Sequence, residues 1–583
     1  MEIVKVADIL DANGLNEPVL NALLPNVDNY TALLMQPKGH IEASPAGVRN
    51  ADRDLAKRQF AQLLNNAIEV QADLVVTPEY SMPWDTLIGS VTAGAIPAQG
   101  QLWALGCESI RYSELQALKQ ILAPSAILLY EELEPNHSRF VDPLAYVFPA
   151  PSADRNGEQK LIILVQFKTY PMGDPDHFEV EGMQRGSSIY QFGTQGSLKL
   201  ASLICSDAFA FEDNHAKAIY DRCLVIHIQL NPKPRHEQFL GCRQRLFASH
   251  GDATEVLCLN WAENVEMLLG GQVKSWKNIG GSAWYLRPDK FDNRKTTLCA
   301  NHQKGLYYTW AGTLHAHALF FNYRPATYLL RATKVDHVGV HGALSRRRGP
   351  QLIETCTWND TNGIWEEQQA VDDGFAAVVG ESDQAADEIR RIAGNDPFEA
   401  ERVLALCAGK IDNGHQRLWY DLEQLDSCVI EASEVIRRLT FCQDPDQHAS
   451  ESRISRLRRC GRLWEILHKN DLLPPSLADL ADGFTFAWSL SSPHQNVLSS
   501  AGKCATALYM GEDSNVTHIE ATAKKLAEYL HRGTSDIYES LCAKQRLAVY
   551  YRQGDEIVLY DPHRYVKIDQ TGEVSEFDIG REM

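Results

Sequence analysis

The sequence lacks long apolar runs, paired cysteines and an excess of positive charge. Its most apolar stretches, such as residues 161–167, are far shorter than the roughly 20 residues that a membrane helix requires. Its 13 cysteines are an odd number and form no Cys-x-x-Cys pair, so neither a disulfide framework nor a structural zinc site is indicated. No basic segment followed by a long apolar stretch opens the chain, so we predict no secretory signal. We therefore expect free thiols, a cytoplasmic location and no membrane contact.

Negative charge dominates the sequence. Lysine and arginine number 56 against 76 aspartates and glutamates, which gives a formal net charge of -20. A surface field of this sign repels phosphate backbones and anionic lipids unless basic residues are segregated into a patch. Basic residues concentrate at residues 346–348 and between residues 453 and 462, where five arginines spread around a predicted helix. Such a helix is typical of a solvated or partner-docking face, so nucleic acid is not the expected partner.

The composition is that of a folded protein with several domains. The chain has 44% hydrophobic and 23% charged residues, which is average for globular proteins, and 583 residues is several times the usual domain length. Residues 30–357 alternate short apolar runs with longer amphipathic segments, which predicts an α/β layered domain. The predicted helix covers residues 50–70, and the predicted strands cover residues 30–37, 73–77, 126–130, 145–148, 161–167, 198–205, 224–230 and 256–260.

The remaining sequence divides into four further segments. Residues 1–29 are expected to form an N-terminal extension, and the Asp- and Gly-rich residues 358–384 a linker. Residues 385–472 have helical spacing of leucine and alanine and predict a helical module, which two prolines end. Residues 473–583 predict an α+β domain, with helices at 517–531 and 536–544 and strands at 547–551, 556–560 and 565–568.

Three of the predicted strands end in residues that could carry chemistry. Glu79 follows the strand at 73–77, Lys168 follows the strand at 161–167, and Cys205 ends the strand at 198–205. Each residue alone is typical of a strand terminus or of a protein core. A glutamate, a lysine and a cysteine at the ends of three apolar strands are far less expected by chance, so the set predicts a shared site.

These residues and their flanking motifs resemble the nitrilase or carbon–nitrogen hydrolase superfamily, whose catalytic Glu, Lys and Cys occur in this order. The matching motifs are Pro-Glu-Tyr around Glu79, Gln-Phe-Lys at Lys168 and Ile-Cys-Ser-Asp around Cys205. The Gly-Gly-Ser segment at residues 280–282, followed by Arg-Pro-Asp, also resembles the family pattern. The resemblance covers roughly residues 30–345 and implies a four-layer α-β-β-α sandwich.

The resemblance implies a mechanism without a metal or a cofactor. A thiol with a reference pKa near 8.5 is a weak nucleophile until a base takes its proton, and Glu79 would be that base. Lys168, helped by the backbone amide of Ser206, would stabilise the negative charge that develops on the substrate. An amide or nitrile would then be hydrolysed through a thioester or thioimidate on Cys205.

Family members also carry a second glutamate between the lysine and the cysteine. Glu181 fits the family spacing best, and Glu179 is the alternative. Tyr80 and Ser206, which flank the catalytic motifs, are expected to contact the substrate. The segments that follow Lys168 and Cys205 depart from the family pattern, so the resemblance does not identify the substrate.

Histidines in the sequence give weaker indications. His177 is expected to be a surface residue of a loop, and His227 to be a core residue of a strand. His315 and His317 would share one face of a strand, but no third ligand is near in sequence, so no metal is predicted there.

The resemblance leaves two functions open. The first is a cysteine-dependent hydrolase of a small amide or nitrile, which family members would lead us to expect as a homodimer or larger homo-oligomer. The alternative is a nitrilase-like interaction or signalling protein, such as one of a bacterial phage-defence system. In that case the C-terminal region would bind a protein partner.

Overall fold

The protein forms two compact units, Met1–Val371 and Asp372–Met583. The computed structural model describes residues 1–24, 29–134, 136, 138–154, 157–193, 198–219, 222–231, 237–248, 254–262, 265–276, 281–286, 295–311, 314, 316–322, 324–333, 350–368, 384–395, 397–409, 447–489, 491–511, 515–532 and 537–560. The expected strand at residues 565–568 and the basic residues 346–348 lie outside the described residues.

The first unit contains two large sheets. The eight-stranded sheet has the spatial order β1 (Glu2–Lys5), β12 (Ser188–Phe192), β13 (Lys199–Ile204), β14 (Cys223–Ile228), β15 (Glu255–Leu259), β18 (Ala283–Leu286), β20 (Ala316–Phe321) and β19 (Leu306–Ala311). The nine-stranded sheet has the order β23 (Ile364–Glu367), β22 (Gln351–Asn359), β21 (Ala326–Thr333), β2 (Asn29–Gln36), β5 (Leu74–Met82), β6 (Leu102–Cys107), β10 (Pro143–Pro151), β11 (Gln159–Phe167) and β8 (Ile127–Tyr130).

Helices cover one face of the nine-stranded sheet. The side chain of Asp52 caps the first of them, α2 (Arg53–Glu69), by accepting a hydrogen bond from the Leu55 amide at 2.9 Å. The apolar stripe of α2, with α3 (Trp84–Thr92) and α4 (Tyr112–Leu122), packs in one core with alternate residues of β2, β5, β6, β10 and β11. Burial of that stripe explains why the 3.6-residue periodicity of the sequence predicts α2 within three residues at its start and one at its end.

The eight-stranded sheet lies against the opposite face of the nine-stranded sheet. The side-chain amide of Gln166 on β11 donates to the Ser202 carbonyl of β13 at 3.0 Å, and its oxygen accepts from the Tyr190 amide of β12 at 2.9 Å. On the other side of β14, α7 (Glu237–Ala248) packs Phe239 against His227, with 5.6 Å between ring centroids. The predicted α/β class is confirmed, and the strands predicted from apolar runs are present.

Smaller elements complete the first unit. They are α1 (Val6–Asp11), α5 (Glu179–Gly182), α6 (Asp213–Ile219), α8 (Lys295–Gln303), the short pair β7 (Ile110–Arg111) and β9 (Phe140–Val141), and a four-stranded sheet in the order β17 (Gln272–Trp276), β16 (Val265–Leu269), β3 (His40–Ser44) and β4 (Gly47–Asn50). The four-stranded sheet joins a hairpin that follows β2 to a hairpin that follows β15, through the parallel pairing of β3 with β16.

The second unit has its own hydrophobic core. Its five-stranded sheet has the order β24 (Phe484–Phe486), β25 (Val497–Ser499), β26 (Cys504–Tyr509), β27 (Leu547–Gln553) and β28 (Glu556–Leu559), and its helices are α9 (Gln384–Asn395), α10 (Pro397–Cys407), α11 (Gln447–Leu467), α12 (Val516–Arg532) and α13 (Ile537–Gln545). One cluster of buried residues includes Leu404 of α10, Leu463 of α11, Leu508 of β26 and Tyr550 of β27.

The packing differs from the segment boundaries expected from sequence. Residues 1–29 are not a separate extension, because β1 pairs in parallel with β12 and the residues of α1 are part of the same unit. The expected linker contains β23, and its residues 369–383 lie outside the described residues. The helical module and the C-terminal domain share one core, because neither set of elements buries its apolar face alone.

Gly106 allows two neighbouring strands to approach at the site. A Cβ atom at this position of β6 would lie 2.1 Å from the carbonyl oxygen of Pro78 on β5. We expect Gly106→Ala to displace the segment that carries Glu79 and to lower the free energy of unfolding by about 1–3 kcal/mol, measured by urea denaturation. The control is Gly89→Ala in α3, where a Cβ atom would meet nothing within 4 Å, and a small stabilisation is expected there. An equal, negligible effect of both substitutions would contradict the prediction.

Candidate active site

Glu79, Lys168 and Cys205 all lie where strands end or lose their regular pairing. The pairing of β5 with β6 is interrupted between Thr77 and Met82, in the segment where Pro78 lacks an amide proton. Glu79 and Tyr80 occupy this interruption, and Tyr80 has a left-handed φ of 59°. Lys168 follows β11 directly, and Cys205 follows β13 directly. Glu79 and Lys168 are in direct contact, and both are close enough to Cys205 to change the pKa of its thiol. The shared catalytic role of the three residues stays a prediction.

The Lys168 ammonium is held between two carboxylates. Its Nζ lies 2.7 Å from Oε1 of Glu79 and 2.8 Å from the carboxylate of Glu179. All three side chains are at most 1% exposed. Burial disfavours the ammonium, but Glu179 and then Glu79 outweigh burial and raise the pKa of Lys168 well above its usual value. Lys168 is therefore a fixed positive charge on a buried side chain.

Glu179, and not Glu181, makes the contact expected of the second glutamate. Glu179 is buried at the start of α5, whereas Glu181 is exposed on the same short helix. The Glu179 carboxylate also accepts hydrogen bonds from the Tyr80 hydroxyl at 3.0 Å and from the Met172 amide at 2.6 Å. Burial opposes its charge, but Lys168 outweighs burial and lowers the pKa of Glu179. The sequence spacing favoured Glu181 because spacing alone does not show the helical turn, which buries Glu179 and exposes Glu181.

Asp142 is a third carboxyl group of the site that the sequence analysis missed. Its Oδ2 lies 3.5 Å from Nζ of Lys168, and its side chain is 1% exposed. Burial, and then the charge of Glu79, raise the pKa of Asp142 well above its usual value. The antiparallel register of β10 and β11, which the sequence analysis did not predict, pairs Pro143 with Phe167 and so brings the next residue, Asp142, opposite Lys168.

The donor set of this cluster fits an ammonium group. Carboxylate oxygens of Glu79, Asp142 and Glu179 lie within 4.8 Å of one another, a spacing that suits a metal ion. Nζ of Lys168 lies within 2.8 Å of two of these groups and 3.5 Å from the third. The lysine thus supplies, from the chain itself, the positive charge that these carboxyl groups surround.

Cys205 begins a tight turn in a strained backbone conformation. Its φ is 41°, in the left-handed region that a residue with a side chain rarely adopts. Burial, and after it the charge of Glu79, raise the pKa of the Cys205 thiol well above its usual value, whereas Lys168 and the Leu230 amide lower it. The resting group is therefore a thiol at neutral pH, and its reaction requires a base nearby.

The Leu230 amide and the Trp261 indole fix the position of Glu79. The Leu230 amide donates to Oε2 of Glu79 at 2.5 Å, while the Trp261 indole donates to the Glu79 carbonyl at 2.8 Å. Oε1 of Glu79 accepts from Lys168. Both carboxylate oxygens of Glu79 therefore accept hydrogen bonds.

Asp207 ties the cysteine turn to the segment that follows Lys168. Its Oδ1 accepts hydrogen bonds from the Thr169 amide and hydroxyl, both at 2.8 Å, and from the Tyr170 amide at 3.0 Å. Its Oδ2 accepts from the Ile204 amide at 3.1 Å. The hydroxyl of Ser206 donates to the Tyr170 carbonyl at 2.6 Å. The side chain of Ser206 thus stabilises the turn. The expected role of the Ser206 backbone amide, stabilisation of negative charge on the substrate, stays a prediction.

Asp207→Asn tests this tie. Both oxygens of Asp207 accept hydrogen bonds from backbone amides. An asparagine would replace one of these oxygens with an NH₂ group, which would face an amide N–H that also donates. We expect a loss of about 1–3 kcal/mol in the free energy of unfolding, and a lower rate of Cys205 alkylation. The control is Asp11→Asn, at an exposed position of α1. Equal stability of the two variants would show that the tie is not needed.

The three histidine expectations have different outcomes. His227 is a buried core residue, as predicted, and its Nε2 lies 2.9 Å from the Cys205 carbonyl oxygen. His177 was expected on the surface but is 1% exposed, because the four-stranded sheet packs over its loop. His317 contacts the Tyr308 hydroxyl at 2.7 Å, and His315 lies outside the described residues.

Several solved structures are similar to this chain. A glutamine-dependent NAD+ synthetase from Acinetobacter baumannii has 12% sequence identity and a TM-score of 0.30, and the match covers 64% of this chain and 52% of the synthetase. The protein XC1258 from Xanthomonas campestris, described as a CN-hydrolase superfamily protein, has 12% identity and a TM-score of 0.30, with coverage of 53% and 91%. Nit3 of Saccharomyces cerevisiae, a member of the nitrilase superfamily, has 18% identity and a TM-score of 0.25, with coverage of 45% and 83%.

The chain thus spans about half the length of the synthetase. Two of these three proteins are described as members of the superfamily that the sequence motifs resemble. No protein-family model and no curated protein matches the chain. Within the described residues, no helix is long and apolar enough to cross a membrane.

Proposed function

We propose that this protein is a cysteine-dependent hydrolase that cleaves a carbon–nitrogen bond of a small amide or nitrile. The observation that carries the proposal is the buried Lys168 ammonium, which is held at 2.7 Å by Glu79 and at 2.8 Å by Glu179 and is close enough to Cys205 to interact with it electrostatically. A thiol, a carboxylate base and a fixed cation are the three groups that acyl transfer through a thioester needs.

The first chemical step acylates the cysteine. Cys205 Sγ attacks the carbonyl carbon of an amide while its proton passes to Glu79, and the carbonyl π electrons move to the oxygen near Lys168. Collapse of this intermediate breaks the carbon–nitrogen bond, and Glu79 returns the proton to the departing nitrogen, which leaves as ammonia or an amine. The product of this step is a thioester on Cys205.

The second step releases the acid. Glu79 takes a proton from a water molecule, whose oxygen attacks the thioester carbon, and the proton returns to Sγ as the carbon–sulfur bond breaks. A nitrile would instead take up Sγ on its carbon and the proton on its nitrogen to form a thioimidate. One water molecule would convert the thioimidate to the thioester with release of ammonia, and a second would release the acid. Glu179 and Asp142 keep Lys168 in place throughout, because each lies within 3.5 Å of its Nζ.

Intact-protein mass spectrometry with pools of amides and nitriles tests the proposal. We expect a covalent acyl adduct on the wild-type protein, no adduct on Cys205→Ala, and an unchanged adduct on the control Cys504→Ala, whose thiol is partly exposed on β26. The adduct mass would identify the acyl group. A folded wild-type protein that forms no adduct and releases no ammonia with any pool would exclude the proposal. That result would favour the alternative function, an interaction or signalling protein whose C-terminal region binds a protein partner. The expected homo-oligomer stays a prediction.

A further inference from the structure

The backbone carbonyl of Cys205 is in hydrogen-bond contact with a buried histidine. His227 lies on β14, which pairs in parallel with β13, the strand that Cys205 follows directly. Nε2 of His227 is 2.9 Å from the Cys205 carbonyl oxygen. The side chain of His227 is buried, and its ring packs against Phe239 of α7. This contact therefore joins the turn of Cys205 to the neighbouring strand of the same sheet.

The Cys205 carbonyl determines which nitrogen of His227 carries the proton. A carbonyl oxygen only accepts hydrogen bonds, so Nε2 must hold a hydrogen and donate it. In a neutral imidazole Nδ1 is then an acceptor, and the side-chain amide of Gln229 donates to it at 2.9 Å. Burial lowers the pKa of His227 to about 3, and the charges of Arg243 and Lys168 act in the same direction, so the ring is neutral at neutral pH. The hydrogen bonds thus run in one direction, from Gln229 to His227 to the carbonyl.

This hydrogen bond fixes the orientation of the peptide unit that follows Cys205. A peptide unit is planar and trans, so its carbonyl and its N–H point in opposite directions. The N–H of this unit belongs to Ser206, the amide expected to stabilise negative charge on the substrate. Cys205 itself has a strained φ of 41°, and such a conformation persists only where surrounding contacts hold it. Holding the carbonyl at His227 therefore also sets the direction of the Ser206 N–H.

We propose that His227 is a positioning residue for acylation, which directs the Ser206 amide toward the substrate oxygen by binding the carbonyl of the same peptide unit. The inference rests on the proposed function and adds a residue that acts through the backbone. Removing one donor to a developing oxyanion lowers rates about 100- to 1000-fold, and a misdirected donor is expected to lose part of that effect. Alkylation by iodoacetamide occurs at a saturated carbon and forms no oxyanion, so it should not depend on the Ser206 amide.

The ratio of two reaction rates at Cys205 tests the positioning role. Acylation is measured with p-nitrophenyl acetate. In this reaction Sγ attacks the ester carbon, Glu79 takes the thiol proton and p-nitrophenolate leaves, and only the release that Cys205→Ala lacks is counted. Alkylation is measured with iodoacetamide, by mass spectrometry of the Cys205 peptide.

Substitutions of His227 should change the ratio of the acylation rate to the alkylation rate. His227→Phe keeps an aromatic ring beside Phe239 but has no hydrogen to donate, and we expect it to lower the ratio at least about tenfold. The side-chain amide of His227→Gln can donate to the same carbonyl, so this variant should keep the ratio within about threefold of the wild-type value.

Two further variants separate positioning from structural damage. His317 is a buried histidine on β20 of the same sheet, and its Nδ1 contacts the Tyr308 hydroxyl at 2.7 Å. His317→Phe should leave the ratio unchanged. Gln229→Met removes the donor that keeps Nδ1 of His227 an acceptor, and we expect a smaller fall in the ratio, about threefold. This variant carries the test should His227→Phe fail to fold.

The outcomes separate the role of His227 from the hydrolase. An unchanged ratio in His227→Phe, or in Gln229→Met if only that variant folds, would overturn the positioning role, as would a ratio in His227→Gln as low as in His227→Phe. A wild-type protein that iodoacetamide alkylates but the ester does not acylate would overturn it as well. Failure of the hydrolase would show instead as no adduct and no ammonia with any amide or nitrile. The ester is cleaved at a carbon–oxygen bond, so its reaction tests His227 independently of that result.

Discussion

Replacing Glu79 with glutamine is expected to slow the alkylation or acylation of Cys205 at neutral pH by roughly a thousandfold, within the range of a general base. The carboxylate accepts hydrogen bonds through both oxygens, from Lys168 and from the Leu230 amide. A glutamine removes the base and turns its NH₂ group toward one of these donors. The measurement is the rate of reaction with iodoacetamide, followed by mass spectrometry of the Cys205 peptide.

The pH dependence of the Glu79→Gln variant gives an independent readout. Burial raises the pKa of the Cys205 thiol, so without a base the thiolate forms only at alkaline pH. The rate in Glu79→Gln should therefore rise about tenfold for each pH unit above neutral, while the wild-type protein reacts at neutral pH. The control is Glu108→Gln, another buried glutamate, whose Oε1 accepts from Asn50 and which should change the rate by less than about threefold. A similar neutral rate in all three proteins would show that Glu79 is not the base.

Lys168→Met should strongly destabilise the first unit. The variant leaves Glu79, Glu179 and Asp142 together in a buried site with no cation from Lys168. Removing one partner of a buried ion pair costs about 3–5 kcal/mol of unfolding free energy, measured by denaturant titration with circular dichroism. Lys160→Met on the same strand is the control, because Lys160 is 42% exposed and pairs with the exposed Glu158. A stability change of less than about 1 kcal/mol is expected there.

The loss of unfolding free energy caused by Lys168→Met should become smaller as the pH falls. In the wild-type protein the lowered pKa of Glu179 contributes stability above the unfolded-state pKa of about 4.3, and this contribution is lost as pH falls through the folded-state value. Without the ammonium, burial instead raises the pKa of this carboxyl, so the folded variant takes up protons in mild acid. The difference in unfolding free energy between the two proteins is therefore larger at pH 8 than at pH 5. A constant difference across this range would contradict the ion-pair account.

The sequence predicted the strands of the two large sheets closely because both faces of these strands are buried. The apolar run at 161–167 became β11, and the run at 224–230 became β14 with bounds Cys223–Ile228. A strand that is buried on both faces requires a nearly continuous apolar run, which is a local signal. The bounds of α2 were also predictable from a local signal, because the helix buries one face and that face requires apolar residues at helical spacing.

Contacts between distant segments were not predictable in this way. The strand β1 pairs with β12, almost 190 residues later in sequence, and nothing in the short sequence of β1 specifies that partner. The four-stranded sheet depends on the pairing of β3 with β16, which places Trp276 beside His177. Sequence spacing also could not separate Glu179 from Glu181, because a single helical turn buries one and exposes the other.

The sequence by itself determined which residues end three apolar strands of the first unit, a glutamate, a lysine and a cysteine, because apolar runs and the residues that end them are local features. Only the tertiary structure decided how these groups are charged and what surrounds them. It placed Asp142 opposite Lys168, selected Glu179 as the second glutamate and buried His177 under the four-stranded sheet. The physical reason is that residue type and periodicity are local properties, whereas burial and the distance between charges are set by segments that meet only in the folded chain.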